Sequence, residues 1–237
     1  MLKYRLLILP CLGMLTTITV AQEETGSSRI VVKENESQEK HPSARWEADI
    51  ARFEKRDQEK PPAKNQLLFL GSSSIRKWKL EKWFPGQDCL NRGFGGSEIS
   101  DTLYFFDRIV APYQPRSIVF YAGDNDIARG KSPEQVYRDF KAFHARVRSK
   151  LPDTGIIFIS IKPSPKRWGF VEKMRKANRL IKNHAGLHPN VFFADIDRPM
   201  IGEDLKPRRE LFLADELHLN DRGYQVWYDV LAPLLRK

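Results

Sequence analysis

From residue 66 onward, short apolar runs alternate with longer amphipathic segments, and this alternation constrains the fold of the chain most strongly. Strand candidates lie at residues 66–71, 88–91, 117–122, 155–161 and 191–194. Most are continuously apolar rather than alternating, which is typical of parallel strands that are covered on both faces. The pattern therefore predicts a parallel sheet buried between layers of helices.

The segments between the strand candidates have helical periodicity and readable ends. Ser132, Pro133 and Gln135 supply an N-cap, a proline at the first helical position and a capping-box residue. Apolar residues spaced by three or four positions predict further helices at 44–60, 175–185 and 221–235. Alternating strands and helices predict an α/β fold, a three-layer α/β/α sandwich around a five-stranded parallel sheet.

The first 21 residues read as a secretory signal peptide. A basic start with Lys3 and Arg5 precedes an apolar stretch, and small residues ending at Ala21 form a plausible cleavage site. The alternative is an uncleaved membrane anchor, which the shortness of the apolar run disfavours. Pro10 directly before Cys11 disfavours a lipoprotein anchor. The predicted organisation is a signal peptide at 1–21, a polar linker at 22–43 and one domain at 44–237.

The cysteine content and the net charge limit the cellular compartment and the partners that we expect for this chain. Removal of the signal peptide would leave Cys89 as the only cysteine, so no internal disulfide would form, and its apolar neighbours suggest a structural thiol. Export without disulfides predicts a secreted or periplasmic bacterial protein. The formal net charge of +10 favours anionic polysaccharide or lipid surfaces of the envelope. We expect no nucleic-acid partner, because the sequence shows no motif for one.

Four polar clusters fall where an α/β sheet usually carries its ligand site. Three follow strand candidates and the fourth precedes the last predicted helix, at residues 71–75, 91–97, 122–126 and 215–218. Parallel strands present their carboxyl ends at one edge, and ligands bind beyond that edge. Each cluster alone is better explained by an ordinary turn, and residues 123–126 also by a weak calcium loop. Their joint placement favours an active site.

These four clusters resemble the signature blocks of the SGNH or GDSL-type serine hydrolases, which have a flavodoxin-like fold. The matching blocks are residues 69–75, 91–97, 123–126 and 215–218. The resemblance implies that Ser73 is the nucleophile, His218 the base and Asp215 the acid that orients it. It also implies an oxyanion hole made by the backbone of Ser73 and Gly96 and by the Asn125 side chain, with no metal or organic cofactor.

One position departs from the family pattern. Ser72 stands where the family name has aspartate, so Ser72 and Ser74 both flank the predicted nucleophile. The aspartate is not a member of the triad, and its loss need not remove activity. The chain has no G-x-S-x-G elbow, which argues against the larger α/β-hydrolase fold. His41, His144, His184 and His188 are interpreted as incidental to catalysis.

We predict the substrate contacts from the loops at the same edge of the sheet. Arg92 and Phe94 accompany the oxyanion glycine, and Trp168 lies in a basic, proline-rich loop, so all three are candidate substrate contacts. Trp168 could equally close the core. A polar rim favours an esterase that removes short acyl groups such as acetyl from carbohydrate. The alternatives are a lysophospholipase or general short-chain esterase, and a non-catalytic carbohydrate-binding module.

Overall fold

The computed structural model of the protein describes residues 41–236 and three short strands before them. The chain divides into two compact units, Met1–Pro42 and Ser43–Lys237. In the first unit, β1 (Leu6–Leu7), β2 (Ile18–Val20) and β3 (Ile30–Val31) form an antiparallel sheet in that order. The remainder of the predicted signal peptide and nearly all of the predicted linker lie outside the described residues, and both assignments stay predictions.

The second unit is built on a parallel sheet. Its strands are β4 (Leu67–Gly71), β5 (Cys89–Gly93), β6 (Ser117–Tyr121), β7 (Gly155–Ile159) and β8 (Val191–Ala194). They pair in the order β5-β4-β6-β7-β8, all parallel. Residue Leu67 is in register with both Cys89 and Ser117, so the carboxyl ends of the three strands nearest the predicted site are level.

Helices of very different length connect these strands. The α-helices are α1 (Glu47–Glu59), α2 (Ser73–Arg76), α3 (Leu80–Trp83), α4 (Ile99–Tyr104), α5 (Phe106–Ile109), α6 (Asp124–Ala128), α7 (Pro133–Lys150), α8 (Val171–Gly186) and α9 (Asp221–Leu231). Short 3-10 segments lie at Pro42–Trp46, Ala111–Tyr113, Pro165–Phe170, Arg198–Met200, Arg209–Leu211 and Leu234–Arg236. Among the residues that the structure describes, no helix has the length and apolar character needed to cross a membrane.

Two hydrophobic cores lie on opposite faces of the sheet because successive side chains of a strand point to opposite sides. Leu68 and Leu70 join the core beneath α1, α4, α5, α7 and α8, whereas Leu67 and Phe69 join the core beneath α2, α3 and α9. The predicted three-layer sandwich around a five-stranded parallel sheet is therefore confirmed.

Most predicted elements are present with shifted ends. Ser132 Oγ accepts the backbone N–H of Gln135 at 3.1 Å as an N-cap, but the Gln135 side chain donates to Asp139 Oδ1 at 2.6 Å instead of closing a capping box. The predicted helix 221–235 ends at Leu231, and helix 175–185 begins earlier, at Val171. The five short helices α2 to α6 were not predicted, because four to six residues are too few to show a helical period.

Cys89 has the structural character expected from its apolar neighbours. Its side chain is half-buried in β5 and packs against the core beneath α9. Burial raises the pKa of the thiol to about 11. The group is therefore protonated at neutral pH and is a poor nucleophile.

Candidate active site

A tight turn after β4 brings Ser73 to the carboxyl edge of the sheet. Gly71 ends the strand with φ of +127°, and a Cβ atom there would lie 1.9 Å from the carbonyl oxygen of Tyr121 in the neighbouring strand. Only glycine combines this backbone angle with so close an approach. The chain then turns directly into α2, whose first residue is Ser73.

Ser73, His218 and Asp215 form a hydrogen-bonded series. His218 Nε2 lies 3.0 Å from Ser73 Oγ, and His218 Nδ1 lies 2.5 Å from Asp215 Oδ2. The carboxylate accepts from Nδ1–H, so the lone pair of Nε2 faces the serine hydroxyl. The imidazole thus has the tautomer and orientation that a general base requires.

The backbone of its own loop stabilises the ionised form of Asp215. Its Oδ1 accepts the backbone N–H groups of His218 at 2.9 Å and Leu217 at 3.0 Å. Partial burial acts to raise its pKa, but the hydrogen bonds from the His218 ring and from these two N–H groups outweigh it and hold the pKa well below its usual range. The negative charge that orients His218 is therefore present throughout the neutral range.

The structure distinguishes Ser73 from its two serine neighbours. Ser72 and Ser74 are buried, with 0% and 1% of their surface exposed, whereas Ser73 is partly exposed. Within the described part of the chain, Ser72 Oγ has no hydrogen-bond partner, and Ser74 Oγ accepts from Lys162 Nζ at 3.2 Å. Of the three serines, Ser73 is the one that contacts His218 and solvent together.

Gly96 and Asn125 come together beside the second polar loop. Gly96 has φ of +77°, and a Cβ atom there would lie 3.3 Å from the Trp46 ring. Asn125, in the first turn of α6, donates one amide hydrogen to the carbonyl oxygen of Ser97 at 2.9 Å. An amide group carries two such hydrogens, so the second can serve a bound oxyanion.

A buried ionic network fixes the orientation of Asn125. Arg167 Nη2 donates to Asn125 Oδ1 at 2.8 Å, and its Nη1 lies 2.8 Å from Asp124 Oδ2. Asp124 also pairs with Lys162 at 3.0 Å, and Lys162 has 1% of its surface exposed. Burial acts to raise the pKa of Asp124, but the two cations outweigh it and the pKa is lowered.

This network was missed by the reading of the sequence. Lys162 and Arg167 were interpreted as part of the basic loop that carries Trp168. The sequence carries only a weak sign that Lys162 is buried. A lysine a few residues after a continuously apolar strand can either extend into solvent or be buried beside a carboxylate. Only the fold brings Asp124, at the end of another strand, next to Lys162.

The structure corrects two of the three predicted substrate contacts. Arg92 has 4% of its surface exposed, forms an ion pair with Asp57 and donates from Nε to the Tyr113 hydroxyl at 2.8 Å. Phe94 is fully buried and packs edge-on against Trp46. Both side chains stabilise the layer beneath α1, so neither is available to a ligand at the sheet edge.

Trp168 borders an open hollow next to the histidine loop. The hollow has a volume of about 510 Å³, and its lining includes Asp204, Lys206, Arg208, Arg209 and Glu210. Trp168 is half-buried, and the loop that carries it contacts the histidine loop through a hydrogen bond of 3.1 Å from the Lys166 N–H to the Glu216 carbonyl oxygen. The hollow therefore carries charges of both signs and has one aromatic wall.

Comparison with known sequences decides the family. The sequence model of the GDSL-like Lipase/Acylhydrolase family matches residues 71–226, most of the second unit. The chain belongs to this family. It is an ester hydrolase, and the matched range contains Ser73, Gly96, Asn125, Asp215 and His218. The resemblance drawn from the four sequence blocks is therefore confirmed.

Individual relatives agree with this assignment. Over 191 residues the hydrolase is 26% identical to platelet-activating factor acetylhydrolase IB subunit alpha1 of Bos taurus, covering 76% of this chain and 78% of the relative. The alpha2 subunit of Gallus gallus is also 26% identical, with 76% and 79% covered.

Solved structures share the fold of the hydrolase. A GDSL-like lipase from Bacteroides thetaiotaomicron superposes with a TM-score of 0.68 at 18% identity, covering 80% of this chain and 98% of the other. A carbohydrate esterase family 3 protein from Talaromyces cellulolyticus gives a TM-score of 0.55 at 16% identity, with 73% and 96% covered. At such identities the likeness shows the α/β architecture alone.

Proposed function

We propose that the protein is a serine esterase that hydrolyses carboxylic esters by acyl transfer to Ser73. The observation that carries this proposal is the distance of 3.0 Å between Ser73 Oγ and a His218 ring already oriented by Asp215. A non-catalytic carbohydrate-binding module would have no need of this arrangement.

The reaction follows from these contacts in two stages. His218 Nε2 takes the proton of Ser73 as Oγ attacks the ester carbonyl, and the imidazolium is stabilised by Asp215. The oxyanion accepts hydrogen bonds from the backbone N–H groups of Ser73 and Gly96 and from Asn125 Nδ2. The tetrahedral intermediate expels the alcohol, which receives the proton from His218. Water, activated by the same histidine, then releases the acid and frees Ser73.

Replacing Asn125 by alanine should lower kcat for p-nitrophenyl acetate by about 100- to 1,000-fold, because one oxyanion donor is lost. The matched control is Asn178→Ala, which removes a buried asparagine that bonds both backbone groups of Ile161. That variant is expected to lose stability but to keep its kcat within a few-fold. Equal kcat values for Asn125→Ala and wild type would contradict the oxyanion role.

For the substrate, we propose short acyl groups such as acetyl on carbohydrate. The half-buried Trp168 forms the aromatic wall of a hollow that charged side chains also line, beside the histidine loop, and its indole presents a large apolar face on which a sugar ring can stack. The name of one relative, an acetylhydrolase, supports a small acyl group, and that of one structural neighbour, a carbohydrate esterase, supports the carrier. The surrounding lysine and arginine side chains also favour an anionic or hydrophilic carrier over a neutral lipid.

Acetate release from acetylated xylan, compared with fatty-acid release from lysophospholipid, tests this choice. We expect the higher kcat/KM on xylan. Trp168→Ala should raise KM for xylan by about tenfold, because truncating an aromatic anchor of a binding surface to alanine typically costs more than about 1 kcal/mol, and it should leave p-nitrophenyl acetate hydrolysis nearly unchanged. A preference for lysophospholipid would contradict the carbohydrate proposal while leaving the serine esterase intact.

A second candidate is an esterase for short acyl groups on lipid-like alcohols. It is favoured by the 26% identity to platelet-activating factor acetylhydrolase subunits, which extends over 76% of this chain. The two candidates share the same reaction at Ser73 and differ only in the carrier, so acetate release from an acetylated long-chain alcohol, measured beside acetylated xylan, separates them.

We also propose that the protein acts outside the bacterial cytoplasm, in the periplasm or the medium, where acylated polysaccharides and anionic envelope surfaces are present. The basis is the predicted signal peptide at residues 1–21. N-terminal sequencing of the exported protein should begin at Gln22. A protein recovered from the cytoplasm with residues 1–21 intact would contradict export.

A further inference from the structure

Three histidines from two neighbouring helices lie together, away from Ser73. His144 is in the C-terminal half of α7, His184 is near the end of α8, and His188 follows α8. One nitrogen of each ring lies within 4.8 Å of the others. The rings of His184 and His188 stack with centroids 3.9 Å apart. The sequence reading treated all three as incidental, because nothing in the linear order shows that α7 and α8 pack side by side.

Some ring nitrogens of the cluster face one another, and others face oxygen atoms outside the three rings. His184 Nε2 lies 2.9 Å from His144 Nδ1, so the two imidazoles share one proton. The other nitrogen of His184 lies 3.3 Å from the Tyr137 hydroxyl. His188 Nδ1 lies 2.7 Å from the His184 carbonyl oxygen and donates to it, which leaves the lone pair of Nε2 for another ligand.

We propose that His144, His184 and His188 bind one transition-metal ion of the Zn²⁺ class. The ligands would be Nδ1 of His144 and Nε2 of His184 and His188, with a water molecule in the fourth position. The metal would replace the proton shared by His144 and His184. The opposite nitrogens of His184 and His188 have the oxygen partners that typically orient metal-bound imidazoles, a hydroxyl and a backbone carbonyl.

The spacing of the rings suits this coordination after a small adjustment. Zn–N distances of about 2.0–2.1 Å in a tetrahedron place the ligand nitrogens about 3.3 Å apart. The 2.9 Å between His144 and His184 has only to open by a few tenths of an ångström. The longest distance between two of the ligand nitrogens is within 4.8 Å. It can shorten by rotation of the His188 side chain, which is less buried than the other two histidines.

The donor set selects the kind of metal. All three ligands are imidazoles, which suit zinc, copper, nickel and cobalt, whereas calcium and magnesium prefer carboxylate and carbonyl oxygens. The positive charges of Lys141 and Arg148 act on the cluster and disfavour a cation held by charge alone. A metal bound through imidazole nitrogens depends less on such charge.

The position of the cluster indicates a structural role. β8 begins at Val191, just after His188, so the cluster lies towards the amino ends of the strands, whereas Ser73 follows the carboxyl end of β4. A metal ion there would join α7 to α8 and stabilise the folded state without contacting the ester. We therefore expect a change in thermal stability and none in kcat at 25 °C.

The test uses the untagged full-length chain after treatment with EDTA. ZnCl₂ at about 100 times its Kd should raise Tm by about 5–10 °C, the shift expected for a ligand that binds only the folded state of a protein of this size. CoCl₂ should give the visible absorption of tetrahedral Co²⁺ with one ion per chain. Absence of both signals would overturn the proposal.

Two variants and one control separate this site from other metal-binding side chains. His188→Asn and, independently, His144→Gln should abolish the Co²⁺ absorption and most of the Zn²⁺-dependent Tm shift. The control His41→Asn removes a histidine outside the cluster and should keep both signals. Basal hydrolysis of p-nitrophenyl acetate should be unchanged in His188→Asn. A Zn²⁺ shift of equal size in wild type and His188→Asn would overturn the proposal, since it would place the metal elsewhere.

Discussion

Replacing Ser73 by alanine should lower kcat for p-nitrophenyl acetate by roughly 10⁴- to 10⁶-fold, with little change in KM. The hydroxyl that attacks the carbonyl is lost, and the members of a serine triad act as a unit, so His218 and Asp215 cannot compensate. The remaining rate would come from the oxyanion donors acting on water. Steady-state kinetics of the purified variant, with Tm measured alongside, is the required measurement.

The neighbouring serines provide matched controls for this result. Ser72→Ala should keep kcat within a few-fold, because the buried Ser72 Oγ has no partner among the described residues. Ser74→Ala should have a modest effect through the lost contact with Lys162. If Ser73→Ala retained activity within a few-fold of wild type while either control lost it, the nucleophile would be assigned to the wrong serine.

Replacing Lys162 by methionine should have the largest effect on stability, lowering the free energy of unfolding by about 3–5 kcal/mol. The variant leaves the buried carboxylate of Asp124 with Arg167 as its remaining cation and removes a donor from the Tyr121 hydroxyl. A buried ion that loses one partner is penalised far more than an exposed one. Urea unfolding of the variant and of wild type gives the difference.

An exposed ion pair supplies the control for the Lys162 variant. Lys182 pairs with Asp195 at 2.9 Å, with 59% and 45% of the two side chains exposed. Lys182→Met should change the free energy of unfolding by less than about 1 kcal/mol. Equal stabilities of Lys162→Met and Lys182→Met would contradict the role given to the buried network.

The fold was predictable where burial leaves a repeated pattern. β4, β6 and β7 are continuously apolar apart from a serine or glycine at one end, because both faces of the sheet are covered, and α7 shows its cap and its apolar face in the sequence. The helices α2 to α6 gave no such pattern, because they are four to six residues long and depend on tertiary contacts. The same holds for the order of the strands, which follows from packing rather than from local preference.

The site was predictable where chemistry is concentrated in short motifs. Ser73, Asn125 and the Asp215–His218 pair lie in such motifs, and the structure brings Ser73 and His218 together across 145 positions of the chain. Arg92 was predicted wrongly because a cation beside an oxyanion loop reads as exposed, and the sequence does not show that Asp57 meets it. Lys162 and the three-histidine cluster were missed for the same reason, since their partners come from distant segments.

Labelling with a serine-reactive fluorophosphonate probe tests the central claim most directly, because the probe reacts only with an activated serine. Mass spectrometry of the digested protein should find one adduct, on the peptide that contains Ser73. His218→Ala should remain folded and should lose the adduct, because the base 3.0 Å from Oγ is removed. An active preparation that carries no adduct, or one labelled at a serine other than Ser73, would contradict the account.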